Sequence, residues 1–251
     1  MRLDIFIVEN FKLSREKAQH LIKEGKVLVN NKVVVKNSFL VKEGNKVELK
    51  EEKIYVSRGA YKLQGASLSF NIDFKDKKIL DIGASTGGFT QFALEQGANF
   101  VYAIDVGTNQ LDISLKGNEK IKSLENVNIK DLKLEDIELV DLILVDLSFI
   151  SLVGLFKYFK KFLKNNGILI VLIKPQFELG SKVIGKRGIA DISLHEKAID
   201  KVIDDANNEK FFLNNFDVSC LKGTKGNIEY FALFSFENNN FKYELKKYLL
   251  K

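Results

Sequence analysis

Residues 78–90 read Lys-Ile-Leu-Asp-Ile-Gly-Ala-Ser-Thr-Gly-Gly-Phe-Thr, and this stretch decides the fold. Residues 78–82 predict a largely apolar strand, the glycines predict a tight loop, and the residues from Gly88 onward predict a helix. Glycine allows the backbone of such a loop to turn sharply and to come close to a ligand. A strand, a glycine-rich loop and a helix in this order are typical of α/β proteins that bind ligands.

The spacing of the glycines separates this loop from the dinucleotide fingerprint. That fingerprint has Gly at its first, third and sixth positions, whereas here Gly stands first, fifth and sixth, with Ser85 third. Asp105 ends the next predicted strand, where a carboxylate can accept hydrogen bonds from a ribose diol. The loop therefore predicts a nucleoside-containing ligand without a clear pyrophosphate cradle, and S-adenosylmethionine is such a ligand. Asn128, at the end of the predicted third strand, either bounds the adenine pocket or is a turn residue.

Beyond residue 57, predicted helices and strands alternate along the chain. The predicted helices cover 57–70, a segment from 88, 151–163 and 194–207, and the predicted strands cover 78–82, 101–105, 127–129, 139–146, 168–173, 211–219 and 228–236. This alternation predicts a doubly wound parallel sheet with helices on both faces. The last two strands have no long helix between them, which suggests an antiparallel insertion at one edge. The predicted fold class is α/β, a Rossmann-like class I methyltransferase sheet.

The first 52 residues predict a small α+β domain. Two short helices are expected over 3–10 and 14–24, with Ser14 as the N-cap of the second and Gly25 beyond its end. A hairpin over 27–35 and a strand over 46–49 follow, and 50–53 is a charged connector. We assign 1–52 to this domain, 53–56 to a linker and 57–251 to the methyltransferase domain.

Positive charge is concentrated near the N-terminus. The net charge is +6, and residues 1–56, with 12 Lys+Arg against 8 Asp+Glu, supply +4 of it. The segments 13–18, 22, 25–27 and 29–30 resemble the small RNA-binding domain that many pseudouridine synthases share, named after ribosomal protein S-four. The resemblance implies that the second helix presents basic residues to RNA phosphates. They are Arg15, Lys17 and Lys23, with Lys26 at the turn. The alternative is a solvated helix face; Lys186 and Arg187 likewise either contact RNA or are simply solvated.

Composition excludes several classes of protein. The longest apolar run, Ile168 to Ile173, is far shorter than the ~20 residues of a membrane-spanning helix, and no signal peptide follows Met1. Cys220 stands alone, so it forms neither an internal disulfide nor a cysteine-based zinc cluster. His20 and His195 are too few to suggest a metal site. We expect a soluble cytosolic protein without a metal.

Four ionisable residues are candidates for catalysis. Asp146 and Lys174 end two apolar strands, Glu229 opens the last strand, and Lys62 lies on the helix before the first strand. Open α/β sheets bind ligands at the carboxyl ends of their strands. Two carboxylates and two ammoniums can neutralise one another there, and a positioned base accelerates loss of a hydroxyl proton. The alternative is a pair of structural salt bridges.

The longest motifs carry a second resemblance, which covers nearly the whole chain. They are Asp81 with 83–90, Asp146 to Leu152, Lys174 to Glu178, Gly226 to Phe231, and Ser57 to Leu63. Together they resemble the TlyA family, ribosomal RNA 2′-O-methyltransferases that are related to the FtsJ group and act on cytidine. Loss of methylation in that family is linked to resistance to capreomycin-type antibiotics.

The TlyA resemblance implies a role for each motif. Lys62, Asp146, Lys174 and Glu229 form the catalytic tetrad, in which Lys174 deprotonates or directly activates the hydroxyl and Asp146 orients the methyl donor. The cofactor-binding residues are Asp81, Gly83, Ser85, Thr86, Gly87, Asp105, Asn128 and Asp146. Arg58 joins the RNA-binding residues. The extent of the chain favours the short type of the family, which modifies the large subunit only; action on both subunits is the alternative.

Three other functions remain as alternatives. A membrane-lytic protein would need an amphipathic cationic helix, for which residues 241–251 are the candidate, although a packing helix is the simpler interpretation. A non-catalytic RNA-binding factor would not need all four ionisable residues. A nicotinamide oxidoreductase is disfavoured by the spacing of the loop. We expect ribosomal RNA as the partner, and neither a membrane nor an obligate protein partner.

Overall fold

The computed structural model describes residues 1–49, 55–184 and 188–249. The connector over 50–53, the first half of the predicted linker, and Lys186 and Arg187 lie outside the described residues. The chain forms two compact units, Met1–Ile54 and Tyr55–Lys251. The predicted boundaries at 52 and 57 therefore stay a prediction.

The first unit contains two helices and a three-stranded antiparallel sheet. The elements are α1 (Leu3–Phe11), α2 (Arg15–Lys23), β1 (Val27–Val29), β2 (Lys32–Val33) and β3 (Val47–Leu49), with strand order β2-β1-β3. Ser14 caps α2, since its hydroxyl accepts a hydrogen bond from the Lys17 N–H (3.2 Å). One face of α2 packs into the core through Ala18, Leu21 and Ile22. The predicted helices, hairpin and cap are confirmed.

The second unit is a seven-stranded sheet flanked by helices. Its elements are α3 (Arg58–Phe70), β4 (Lys78–Ile82), α4 (Gly88–Glu95), β5 (Phe100–Asp105), β6 (Ile121–Glu125), β7 (Val140–Val145), α5 (Phe156–Phe159), β8 (Leu163–Ile173), α6 (Pro175–Glu178), α7 (Ser181–Ile184), α8 (His195–Asn208), β9 (Phe212–Val218), β10 (Tyr230–Ser235) and α9 (Leu245–Leu249). A 3₁₀ turn covers Ile192–Leu194.

The order of the strands is β6-β5-β4-β7-β8-β10-β9, and β10 runs antiparallel to both of its neighbours. This confirms the doubly wound sheet and the antiparallel insertion near one edge. Alternate residues of β7 face opposite sides of the sheet, so that Leu142 and Leu144 enter one core cluster and Ile143 and Val145 the other. The sheet is therefore buried on both faces, as parallel strands require.

Two predicted elements were wrong. The third parallel strand is Ile121–Glu125, not 127–129. Apolar and polar residues alternate only weakly in this edge strand, and the strand is partly exposed. Asn128 belongs instead to a turn, in which its side-chain oxygen accepts a hydrogen bond from the Lys130 N–H (3.0 Å). The helix predicted over 151–163 is reduced to Phe156–Phe159. Gly154 interrupts it with a φ of +85°, and the chain enters β8 at Leu163.

The C-terminal segment packs against the sheet. The Tyr243 and Tyr248 rings lie 4.8 and 5.1 Å from the ring of Phe216. This supports the packing interpretation of the predicted amphipathic segment. Throughout the described ranges, every helix is too short or too polar to span a bilayer.

Candidate active site

The glycine-rich loop lies at the carboxyl edge of the sheet and leaves no room for side chains. Gly83 has a φ of +80°, and a Cβ atom there would lie 2.7 Å from the backbone oxygen of Asp146. A Cβ on Gly87, whose φ is +92°, would lie 2.5 Å from the Leu115 side chain. Both positions therefore require glycine, and the approach of a ligand to this loop stays a prediction.

Asp81 lies beneath this loop and is completely buried. The Thr90 hydroxyl donates to one of its oxygens (2.6 Å), while the other oxygen has no hydrogen-bond partner within the described structure. Burial raises the pKa of Asp81 to about 7, because desolvation disfavours the carboxylate; the Thr90 bond opposes this rise. Asp81 therefore supports the loop from below and holds a proton over part of the neutral range.

Asp105 ends β5 and connects two loops. One of its oxygens accepts the backbone N–H of Ser85 (2.8 Å) and the other accepts that of Gly107 (2.7 Å). Ser85 itself has a φ of +48°, and the backbone oxygen of Thr86 accepts the N–H of Asp112 (3.2 Å). The predicted carboxylate is thus held at the edge of the glycine-rich loop.

Glu125 is a residue of this edge that the sequence interpretation missed. Its carboxylate ends β6 and accepts the backbone N–H groups of Asn109, Gln110 and Leu111. The bond from Asn109 contributes most to the lowered pKa of Glu125. The wrong position of the third strand concealed this residue. Asn128, predicted instead, lies three residues further on in a turn.

The four predicted catalytic side chains form two ion pairs. Lys174 Nζ lies 2.6 Å from Asp146 Oδ1, and Lys62 Nζ lies 2.6 Å from Glu229 Oε2. The side chain of Glu229 is 3% exposed and that of Lys174 is 8% exposed. Lys174 also donates to the Ser148 hydroxyl (2.9 Å). Water is therefore largely excluded from the charged groups, which strengthens their interaction.

Strand pairing brings the two ion pairs to the same edge. Tyr230 pairs with Ile173 in the antiparallel β8–β10 ladder, so the neighbouring residues Glu229 and Lys174 face each other where the ladder ends. Gln176 on α6 adds a weak link, because its amide lies 3.4 Å from Glu229 Oε1. The four charges thus come from α3 and from residues next to the ends of β7, β8 and β10. Ser148, in the loop after β7, and Gln176, on α6, were missed because single neutral polar residues carry no spacing signal.

The predicted RNA-binding residues occupy different environments. Arg15 and Lys23 are exposed on α2, whereas Lys17 and Lys26 are partly buried. In the second unit, Arg58 is exposed and donates to the backbone oxygen of Lys222 (2.9 Å). Arg58 therefore attaches the start of α3 to the β9–β10 loop in addition to any contact with RNA.

The two histidines differ in their surroundings. His20 is exposed on the surface of α2. His195 begins α8 and is buried, and its Nδ1 lies 2.8 Å from the Tyr230 hydroxyl. Burial lowers the pKa of His195, which favours the neutral ring. Among the described residues, no group of His, Cys, Asp and Glu has the arrangement of a metal site.

Comparison with known proteins matches two parts of the chain to two families. Residues 55–236 match the FtsJ-like methyltransferase family, and residues 1–47 match the S4 domain. The chain is 41% identical to Hemolysin A of Brachyspira hyodysenteriae, over 93% of this chain and 99% of that protein. It is 39% identical to the 23S rRNA (cytidine-2′-O)-methyltransferase TlyA of Campylobacter jejuni, over 92% of this chain and 98% of that protein.

One further relative and one solved structure are also similar to this chain. The chain is 37% identical to the 16S/23S rRNA (cytidine-2′-O)-methyltransferase TlyA of Mycobacterium tuberculosis, over 87% of this chain and 83% of that protein. A solved structure from Streptococcus thermophilus, named as a candidate hemolysin, is 36% identical and superposes with a TM-score of 0.73. That superposition covers 95% of this chain and 90% of the other.

Proposed function

The chain belongs to the FtsJ-like methyltransferases and, within them, to the TlyA and hemolysin A group, and we propose that it methylates a ribose 2′-hydroxyl of ribosomal RNA with S-adenosylmethionine. The observation that carries this proposal is the pairing of Lys174 with Asp146, and of Lys62 with Glu229, beside the glycine-rich loop. A hydroxyl acceptor needs such charged groups because it must lose a proton as the methyl group is transferred.

The loop and the carboxylates around it fit the methyl donor. Gly83 and Gly87 have positive φ values and no room for a Cβ atom, so the tight turn of the loop depends on glycine at both positions. Asp105 stands where it can accept from the ribose diol, and Asp146 borders the loop through its backbone oxygen. When bound, S-adenosylmethionine supplies an electrophilic methyl group and is converted to S-adenosylhomocysteine.

Lys174 has the central role on the acceptor side. Its ammonium is held by Asp146 and Ser148, so its position is fixed before RNA arrives. It orients the 2′-hydroxyl by a hydrogen bond or, when neutral, takes the hydroxyl proton as the new carbon–oxygen bond forms. Lys62 and Glu229 balance the remaining charge. Holding the two reactants in the orientation for reaction lowers the free-energy barrier of such reactions by up to about 7–11 kcal/mol.

We further propose that the substrate is a cytidine of the large subunit, and that the protein acts in the cytoplasm, where ribosomes are. The Campylobacter relative is named for 23S rRNA alone and aligns over 98% of its length, whereas the Mycobacterium relative is named for both RNAs and aligns over 83%. The S4 domain, with Arg15 and Lys23 exposed, supports binding to RNA phosphates. Methylation of both subunits is the alternative.

Transfer of tritiated methyl groups to purified, unmethylated ribosomal subunits tests the proposal. Lys174→Ala should abolish transfer, while Lys75→Ala, an exposed lysine that precedes β4 at the opposite edge of the sheet, should retain it. The modified ribose is located by its resistance to alkaline cleavage, since a 2′-O-methyl group blocks attack on the adjacent phosphate.

The outcomes separate the alternatives. Label in a large-subunit cytidine that is lost in Lys174→Ala supports the whole proposal. Label in both subunits refutes only the restriction to the large subunit. If neither subunit is labelled although the donor binds, the protein is an RNA-binding factor instead. Label on a base rather than a ribose would contradict the role given to Lys174.

A further inference from the structure

The segment that follows β7 carries much of the acceptor side of the site but has no regular secondary structure. Residues 146–155 include Asp146 and Ser148, both of which contact Lys174. Phe149 lies between these contacts and the next turn with a φ of +67°, and its side chain is 91% exposed. A bulky residue in the left-handed region is strained and keeps that conformation only where its surroundings impose it.

Glu178 supplies that constraint from α6. Its carboxylate accepts the Ser151 hydroxyl and the backbone N–H of Leu152 (3.0 Å), and the residue is 7% exposed. Burial raises the pKa of Glu178, and the bonds from Ser151 and Leu152 act against that rise. A buried carboxyl needs such partners, because an unpaired one is costly. Asp205 on α8 holds the end of the segment by accepting the Gly154 N–H (2.7 Å).

Lys174 and Glu178 belong to one turn of chain. The backbone oxygen of Lys174 accepts the N–H of Phe177 (2.8 Å) and that of Glu178 (3.3 Å). The Lys174 ammonium, at the start of this turn, therefore binds side chains at the start of the 146–155 segment. The Glu178 carboxylate, at the end of the turn, accepts hydrogen bonds from the middle of that segment. Phe149 lies between these two sets of contacts. The motifs 146–152 and 174–178 are thus connected through the side chains of both Lys174 and Glu178.

We propose that Glu178 is a positioning residue for methyl transfer, which holds the 146–155 segment so that Asp146 and Ser148 keep Lys174 in place. The inference rests on the proposed function, since it concerns the acceptor side of that reaction. Glu178 does not reach the glycine-rich loop in any described contact. Its loss should therefore affect turnover with RNA and leave the affinity for S-adenosylmethionine unchanged.

Three variants and a matched control test this role. Glu178→Ala removes both bonds and should lower turnover about tenfold to a hundredfold, the effect of a displacement of about 1 Å at a reacting centre. Glu178→Gln should recover most of it, because the amide oxygen can accept from Leu152 and the amide nitrogen can donate to the Ser151 oxygen. Ser151→Ala should fall between them. Glu138→Gln, on an exposed residue bound to Lys78 before β7, serves as the control.

Two further measurements separate positioning from a general loss of structure. The dissociation constant of S-adenosylmethionine should stay within about twofold of wild type in every variant. Amide hydrogen exchange in Glu178→Ala should accelerate in residues 147–154 but not in residues 83–90, a readout that needs no methyl transfer. If wild type transfers no methyl group, the proposed function fails while this exchange pattern still decides the role of Glu178.

The results that overturn the inference are specific. Wild-type turnover in Glu178→Ala would show that catalysis does not need the hydrogen bonds of Glu178 to Ser151 and Leu152. Donor affinity that falls together with turnover, with faster exchange across both segments, would show a general structural role. Failure of Glu178→Gln to recover activity, with intact folding, would also contradict the hydrogen-bond argument.

Discussion

The buried ion pair between Lys62 and Glu229 allows a quantitative prediction. The two charges lie 2.6 Å apart, and their side chains are only 10% and 3% exposed. Apart from Lys62, the described neighbour of the Glu229 carboxylate is the Gln176 amide at 3.4 Å. Replacing Lys62 with Met therefore leaves a carboxylate in a desolvated site with one weak neutral partner.

The expected cost follows from that loss. Removing one member of a buried pair destabilises a protein by about 3–5 kcal/mol, because the other charge remains uncompensated. For a unit of this size, about 2–4 °C of melting temperature corresponds to each kcal/mol, so Lys62→Met should lower the melting temperature by about 6–20 °C. Glu229→Gln should cost less than Lys62→Met, since Gln retains an oxygen for Gln176. The double variant should be more stable than the sum of the two losses by about 1–3 kcal/mol.

Tyrosine fluorescence is the suitable assay. The seven tyrosines all lie in residues 55–248 and there is no tryptophan, so the signal reports the second unit alone. Urea titrations of wild type, both single variants and the double variant give the coupling free energy, with Glu138→Gln as a control of similar chemistry at an exposed pair. Additivity within about 0.5 kcal/mol would refute the argument, because it would mean that the two buried charges do not depend on each other.

Three more predictions concern other parts of the molecule. Glu125→Gln should weaken binding of S-adenosylmethionine about tenfold in calorimetry, because an amide nitrogen cannot accept a backbone N–H group and the loop that Glu125 holds would lose a hydrogen bond; unchanged affinity would contradict this. Burial raises the pKa of Asp81 from its ordinary value of 3.8 to about 7 in the folded protein, so its stabilising contribution is present below about pH 4 and is lost as the pH rises through 7. In wild type the free energy of unfolding should therefore fall as the pH rises through that window, and in Asp81→Asn this fall should be absent. Urea titrations that give the same pH dependence for both proteins would count against it. Combined Arg15→Ala and Lys23→Ala should weaken RNA binding equally for all sequences and reduce the salt slope by about one for each lost phosphate contact; loss confined to one sequence would argue against phosphate contacts.

Hydrophobic pattern and turn chemistry made most of the fold predictable. The second half of β8 is continuously apolar, β4 and β7 are largely apolar, and Gly83 and Gly87 have the positive φ values that their loop requires. Asp146 and Lys174 could be identified because each directly follows such a strand. β6 could not be identified, because an edge strand with polar residues lacks both alternation and a long apolar run. The helix over 151–163 was not formed as predicted because Gly154 adopts a φ of +85°, which interrupts a right-handed helix.

The residues that sequence reasoning missed share a physical cause. Glu125 accepts backbone N–H groups 14 to 16 positions away in the chain, and Glu178 accepts the backbone N–H of Leu152, 26 positions away. Such an interaction depends on the carboxylate alone and on any backbone opposite it, so it imposes no residue type on its partner and leaves no pattern to read. Each carboxylate holds one loop: Glu125 the loop beside Asp105, Glu178 the segment beside Lys174. The donor side and the acceptor side of the site are therefore stabilised separately, and variants at the two positions should impair donor affinity and turnover independently.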